Sequence, residues 1–183
     1  MSSRDINLLS YNGPHDNGRF VSWGKPLIPG EEIADTIKCS TGLTGFSAQF
    51  GVVHGGREDA LDVNNLCRDV SIVADRWVFT PRTRMGFTIK GGSRNISVSG
   101  LIEGDPLVDI GNASDQSHAA TTGVRLDLRR VDGKPVRVRV LGGDLPELAP
   151  NSGPYRFVFP WRSRILRVIA TKTFLQLRRH FSV

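Results

Sequence analysis

Apolar and polar residues alternate in short runs through the middle of the chain. Leu61/Val63, Val70/Ile72, Ile96/Val98, Val108/Ile110, Val124/Leu126/Leu128 and Val136/Val138/Val140 put apolar side chains at every second position. That is the period of a strand with one buried face. Asn64-Asn65, Gly91-Gly92, Gly111-Asn112, Asp132-Gly133 and Gly142-Gly143 separate the runs. These residue types tolerate left-handed backbone at tight corners. The runs sort into two alternating sets, one starting near Leu61, Phe87, Val108 and Val136, the other near Val70, Ile96 and Val124.

The spacing within the sets is a repeat. Residues 61–74 and 87–100 echo each other 26 positions apart: Leu61-Asp62-Val63 aligns with Phe87-Thr88-Ile89, and Val70-Ser71-Ile72 with Ile96-Ser97-Val98. Between them, Asn65-Leu66-Cys67-Arg68-Asp69 aligns with Gly91-Gly92-Ser93-Arg94-Asn95. Starts in the second set recur at 26 and 28 residues; those in the first recur at 26, 21 and 28, the slack falling around 114–122. A third apolar patch, Trp77-Val78-Phe79 against Leu101-Ile102, recurs after 24 to 25 residues and reads as a third side of each coil. A repeat of this length signals stacked coils, each too small to bury its own apolar face. A β-sandwich also alternates apolar residues between glycine turns, but gives no reason for a 14-residue stretch to recur in register.

Over residues 42–145 this pattern resembles the right-handed parallel β-helix superfamily, the pectin-lyase-like fold of polysaccharide lyases, pectin hydrolases and many phage tail and virion proteins. The resemblance implies an all-β chain: a short right-handed parallel β-helix over 42–147, behind an irregular N-terminal arm or cap at 1–41. Twenty glycines and ten prolines among 183 residues suit such a corner-rich fold. Turn formers crowd Tyr11 to Gly18, and Pro26, Pro29 and Gly30 follow, so the arm departs from the coil pattern. Cys67 stands where Ser93 stands one coil later, which predicts a packed corner thiol and no disulfide with Cys39.

Charge singles out the other end. Residues 148–183 hold seven Lys and Arg and no acid, so the remainder of this +6 chain carries −1. Within 160–181 the apolar period changes: Trp161, Ile165, Val168 and Ile169 share one side at helical spacing, broadened by Leu166, Phe174, Leu177 and Phe181. After a linker, this predicts a basic amphipathic helix begun by Pro160. Its docking residues are Trp161, Arg162, Arg164, Arg167, Lys172, Phe174, Arg178, Arg179 and Phe181. Such a helix either caps the open solenoid end or docks to a partner protein, an anionic membrane surface or nucleic acid. The Met1-Ser2-Ser3-Arg4 start reads as lacking a signal peptide, and no run of 18 apolar residues occurs, so synthesis in the cytoplasm without a spanning helix is expected.

Candidate chemistry is sparse. Glu58-Asp59 resembles the paired acids of the pectin-hydrolysing branch, but the next coil supplies Met85-Gly86-Phe87 where that branch has Gly-His-Gly. The later strand supplies Arg125-Leu126-Asp127 where it has Arg-x-Lys. If the chain is an enzyme, Glu58, Asp59, Asp62 and Asp109 are its candidate acids, paired across a glycosidic bond. For the lyase branch, Asp105, Asp109 and Asp115 do not specify the convergent oxygen ligands calcium takes. His15, His54, His118 and His180 are scattered without zinc spacing. The polar insertion at 111–118 is the candidate recognition loop, with Asn112, Asp115 and His118 joined by Lys90, Arg94 and Arg125 from adjacent coils. No metal or cofactor is expected.

These readings lead to a non-enzymatic structural or attachment protein, as in a bacteriophage virion or its assembly, docking through its terminal arms to other virion proteins or to itself. A polysaccharide-active or glycan-binding protein is the alternative, and a peripheral membrane or nucleic-acid-associated protein the third.

Overall fold

The computed structural model describes residues 6–12, 21–23, 35–40, 42–56, 58–81, 83, 85–111 and 119–158. These form β1 (Ile6–Asn12), β2 (Val21–Trp23), β3 (Asp35–Cys39), β4 (Thr44–His54), β5 (Asp59–Val63), β6 (Arg68–Val78) and β7 (Phe87–Ile89). They continue as β8 (Arg94–Glu103), β9 (Leu107–Ile110), β10 (Thr122–Arg130), β11 (Val136–Val140), β12 (Glu147–Leu148) and β13 (Tyr155–Phe157). Sheet A runs β1-β4-β6-β8-β10-β12 and sheet B runs β13-β11-β9-β7-β5-β3-β2. The chain is a parallel β-solenoid of about four turns. The two alternating sets of the sequence are the two sheets.

The internal echo is lateral pairing. Leu61 lies beside Phe87 and Val63 beside Ile89 in sheet B; Val70 lies beside Ile96 and Ile72 beside Val98 in sheet A. Inward residues thereby stack into columns, Ile37-Leu61-Phe87-Val108-Val138 from one sheet and Ala48-Ile72-Val98-Leu126 from the other. Every member is buried. A single coil buries little apolar area, so each gains its stability from neighbours above and below.

The third apolar patch is not a third sheet. Trp77 pairs with Ile102, but on β6 and β8 themselves, beyond a register shift between Ala74 and Arg76. One extra residue, Asp75, makes a bulge there and bends the long strands. Beneath the bend Trp77 fills space left by Ala74 and Gly100, donates Nε1–H to the Ser99 carbonyl at 3.0 Å, and meets the Phe87 ring edge-to-face at 5.0 Å.

Corners explain the rest of the echo. Asn65 and Leu66 have φ of 55° and 64°, matching 68° and 69° at Gly91 and Gly92. One step into β4, β6, β8 and β10, Gly45, Asp69, Asn95 and Gly123 are again left-handed, at 68°, 53°, 56° and 65°. Asn and Asp tolerate that region better than other non-glycine residues, and Asn95 Nδ2 donates to Asp69 Oδ1 at 2.9 Å. Cys67 Sγ donates to the Asn64 carbonyl at 2.9 Å as Ser93 Oγ does to Lys90 at 2.7 Å. Both cysteines are buried free thiols.

Parallel pairing begins at β3, before residue 42, and continues beyond 147 into β13. In the N-terminal arm, β1 adds antiparallel to β4 and β2 antiparallel to β3, covering the first coil's edge in both sheets. No helix occurs among the described residues, hence none long and apolar enough to cross a membrane. The expected basic helix at 160–181 lies outside them.

Candidate functional site

The expected acids fall on sheet B. Lys38, Asp62, Thr88, Asp109 and Arg139 occupy one row across β3, β5, β7, β9 and β11. Their parity is opposite to that of Leu61 and Phe87, so the row faces outward. Lys38 Nζ lies 3.0 Å from Asp62 Oδ2 and 3.1 Å from Asp35; Lys90 Nζ approaches Asp62 Oδ1 at 3.7 Å. Asn64 Nδ2 also donates to Asp62 Oδ2, at 2.7 Å. Arg139 grips Asp109 with both forks, Nε to Oδ1 at 3.1 Å and Nη2 to Oδ2 at 2.5 Å. Asp109 is wholly buried and Asp62 nearly so. A buried carboxylate without such partners is strongly destabilising.

Asp59 differs. Burial pushes its carboxyl up to about 7, against a hydrogen bond from Thr88 and with the Asp62 and Asp35 carboxylates adding to the rise. Thr88 Oγ1 donates to Asp59 Oδ1 at 2.9 Å, which ties the group to the row. Burial also raises Asp35, although Lys38 opposes it. For Lys38 itself, burial works against the charge, but Asp62 and Asp35 outweigh it and hold the ammonium firmly protonated. The Asp109 hydrogen bond likewise raises Arg139.

Thus Asp59, Asp62 and Asp109 come together, and Glu58 does not: it is exposed before β5. Asp62 and Asp109 stand two strands apart, about 10 Å between backbones, with Thr88 between. Each is held in ion pairs, Asp62 with Lys38 and Lys90 and Asp109 with Arg139. The expected ligand cluster is divided. Lys90 turns to Asp62 on sheet B, while Arg94 lies beside Thr122 and Arg125 beside Ser97 in sheet A, Arg125 facing Glu147 at 3.9 Å. Asn112, Asp115 and His118 lie outside the described residues, as do Trp161 and the other docking residues of the tail.

The sequence reading missed a groove on the outer side of sheet A. At the bend of β6 and β8 a depression of about 380 Å³ is lined by Val73, Ala74, Asp75, Ser99, Gly100, Leu101, Asp127, Arg129 and Asn151. Gly100 has φ of 140°, and a Cβ there would sit 2.0 Å from the Ala74 carbonyl oxygen, so only glycine allows the strands to close at this point. A glycine interrupting the Val98 alternation was the available signal. No three His, Cys, Asp or Glu side chains converge as metal ligands among the described residues.

No family model matches the chain, and no curated protein or solved structure does.

Proposed function

We propose that the protein is a non-enzymatic structural or attachment protein, a rigid solenoid that fixes itself to neighbours through its terminal segments, as small right-handed β-helices do in bacteriophage particles. The clamping of Asp62 by Lys38 and Lys90 and of Asp109 by Arg139 carries this reading. Carboxylates that bridge successive strands staple the stack; a hydrolytic pair needs one acid and one unencumbered base. The basic stretch after residue 148 supplies charge for docking to an acidic neighbour.

A second reading, polysaccharide cleavage, draws on one observation: burial pushes the Asp59 carboxyl up to about 7, on the same short strand as Asp62. Both are tested with the full-length protein. Incubation with pectate and related acidic polysaccharides, followed by assays for reducing ends and unsaturated products, is expected to show no turnover. Sedimentation of host extracts is expected to place the chain with capsid or tail proteins. Turnover abolished by Asp59→Ala or Asp109→Ala in a protein that still melts cooperatively overturns the attachment reading.

A further inference from the structure

We infer that the groove at the bend of sheet A is a saccharide site selective for amino sugars. The bulge that bends β6 exposes Asp75 on one side of the depression, and Asp127 and Arg129 of β10 with Asn151 line the other. Bulges commonly re-aim side chains beside functional sites. All three charged groups are solvent-exposed, and none makes an ion pair among the described residues. The acids of sheet B contrast with this, since Asp35, Asp62 and Asp109 all have cations in contact.

The chemistry of the lining defines the ligand. Val73, Gly100 and Leu101, all partly exposed, give a shallow floor of backbone and aliphatic groups, suited to the C–H face of a pyranose ring. Carboxylate, guanidinium and amide are planar groups that engage two adjacent hydroxyls at once, and Ser99 adds a hydroxyl. Asp127 shares its row with Ser99 and Val73, two strands and about 10 Å across, an interval that a disaccharide unit covers. Two carboxylates and one guanidinium leave the groove at −1. A uronate is repelled there, whereas a sugar ammonium neutralises the excess.

The test is calorimetric titration of the full-length protein at pH 6 and 0.15 M salt with three tetrasaccharides: glucosamine, N-acetylglucosamine and galacturonate. The glucosamine tetramer is expected to bind, the N-acetylated one at least about tenfold more weakly, and the galacturonate tetramer not detectably. Asp75→Asn with Asp127→Asn is expected to weaken glucosamine binding at least about tenfold without shifting the melting temperature, both side chains being exposed. Asp144→Asn, an exposed acid outside the groove, is expected to leave binding unchanged. Absence of glucosamine binding, equal binding of galacturonate, undiminished binding by the double variant or equal weakening by Asp144→Asn each overturns the inference. Such failure leaves the attachment reading standing, because that reading rests on the clamped acids of sheet B.

Discussion

Among the described residues, Leu66 is the one bulky side chain in a left-handed corner, with φ of 64° and a relative exposure of 46%. Left-handed geometry costs a non-glycine residue about 1–2 kcal/mol, and glycine returns about 0.5–1 kcal/mol of that through its freer unfolded chain. Leu66→Gly is therefore expected to stabilise the protein by up to about 1 kcal/mol, read as a higher urea midpoint at unchanged slope. A lower midpoint contradicts the corner geometry. Asp59 makes the second prediction at this scale. Its ordinary value is 3.8 and the folded protein raises it to about 7, so folding favours the proton. Stability from this group is full below the unfolded value, falls as pH rises from about 4 to 7, and is flat above. Asp59→Asn, which keeps an acceptor for Thr88, is expected to flatten that slope and to raise the melting temperature at pH 8; an unchanged pH profile refutes the buried, protonated acid. The packed corner position of Cys67 was legible through Ser93, because identical corners repeat; the hydrogen bond it makes there was not. The partners of Lys90 were not, since sequence spacing assigns a residue to a coil but does not say to which sheet a long side chain at a corner turns.

Among the elements, the bulge on β6 shows where a repeat stops being informative. The echo of 26 residues ends at residue 74, and the patch beyond it recurs after 24 to 25; register passes from Ala74 beside Gly100 to Arg76 beside Leu101. That slip by one is the trace the bulge leaves in the sequence, and it was readable as a change of spacing but not as a bend. Gly100→Ala is expected to destabilise by several kcal/mol, measured by chemical denaturation, because its Cβ would meet the Ala74 carbonyl and the Trp77 ring together. A change below about 0.5 kcal/mol, the range of ordinary surface substitutions, contradicts the close approach. At the far edge of sheet A, β12 covers only Arg125 and Leu126. The Tyr155 hydroxyl accepts from the Leu128 N–H at 2.8 Å and donates to its carbonyl at 3.1 Å, finishing what a longer strand would supply. Nothing in the spacing announced that role, since it joins residues of opposite sheets.

For the whole molecule, the two alternating strand sets were the legible part, and they became two sheets closing on one interior column. The antiparallel closure of the first coil was not legible, because turn-rich residues 11–30 carry no register information, and an arm covering the solenoid reads like one reaching elsewhere. An open parallel edge invites uncontrolled strand addition, and β1 and β2 lie along that edge of the first coil in both sheets. The stacking itself is tested most directly by nuclear Overhauser spectroscopy on uniformly labelled protein. Close methyl contacts between Ile72 and Val98 and between Val63 and Ile89, with the amide-to-Hα pattern of parallel strands between β6 and β8, are the expected result. Hα–Hα contacts of antiparallel pairing between these strands, or the absence of both methyl contacts, would contradict the solenoid.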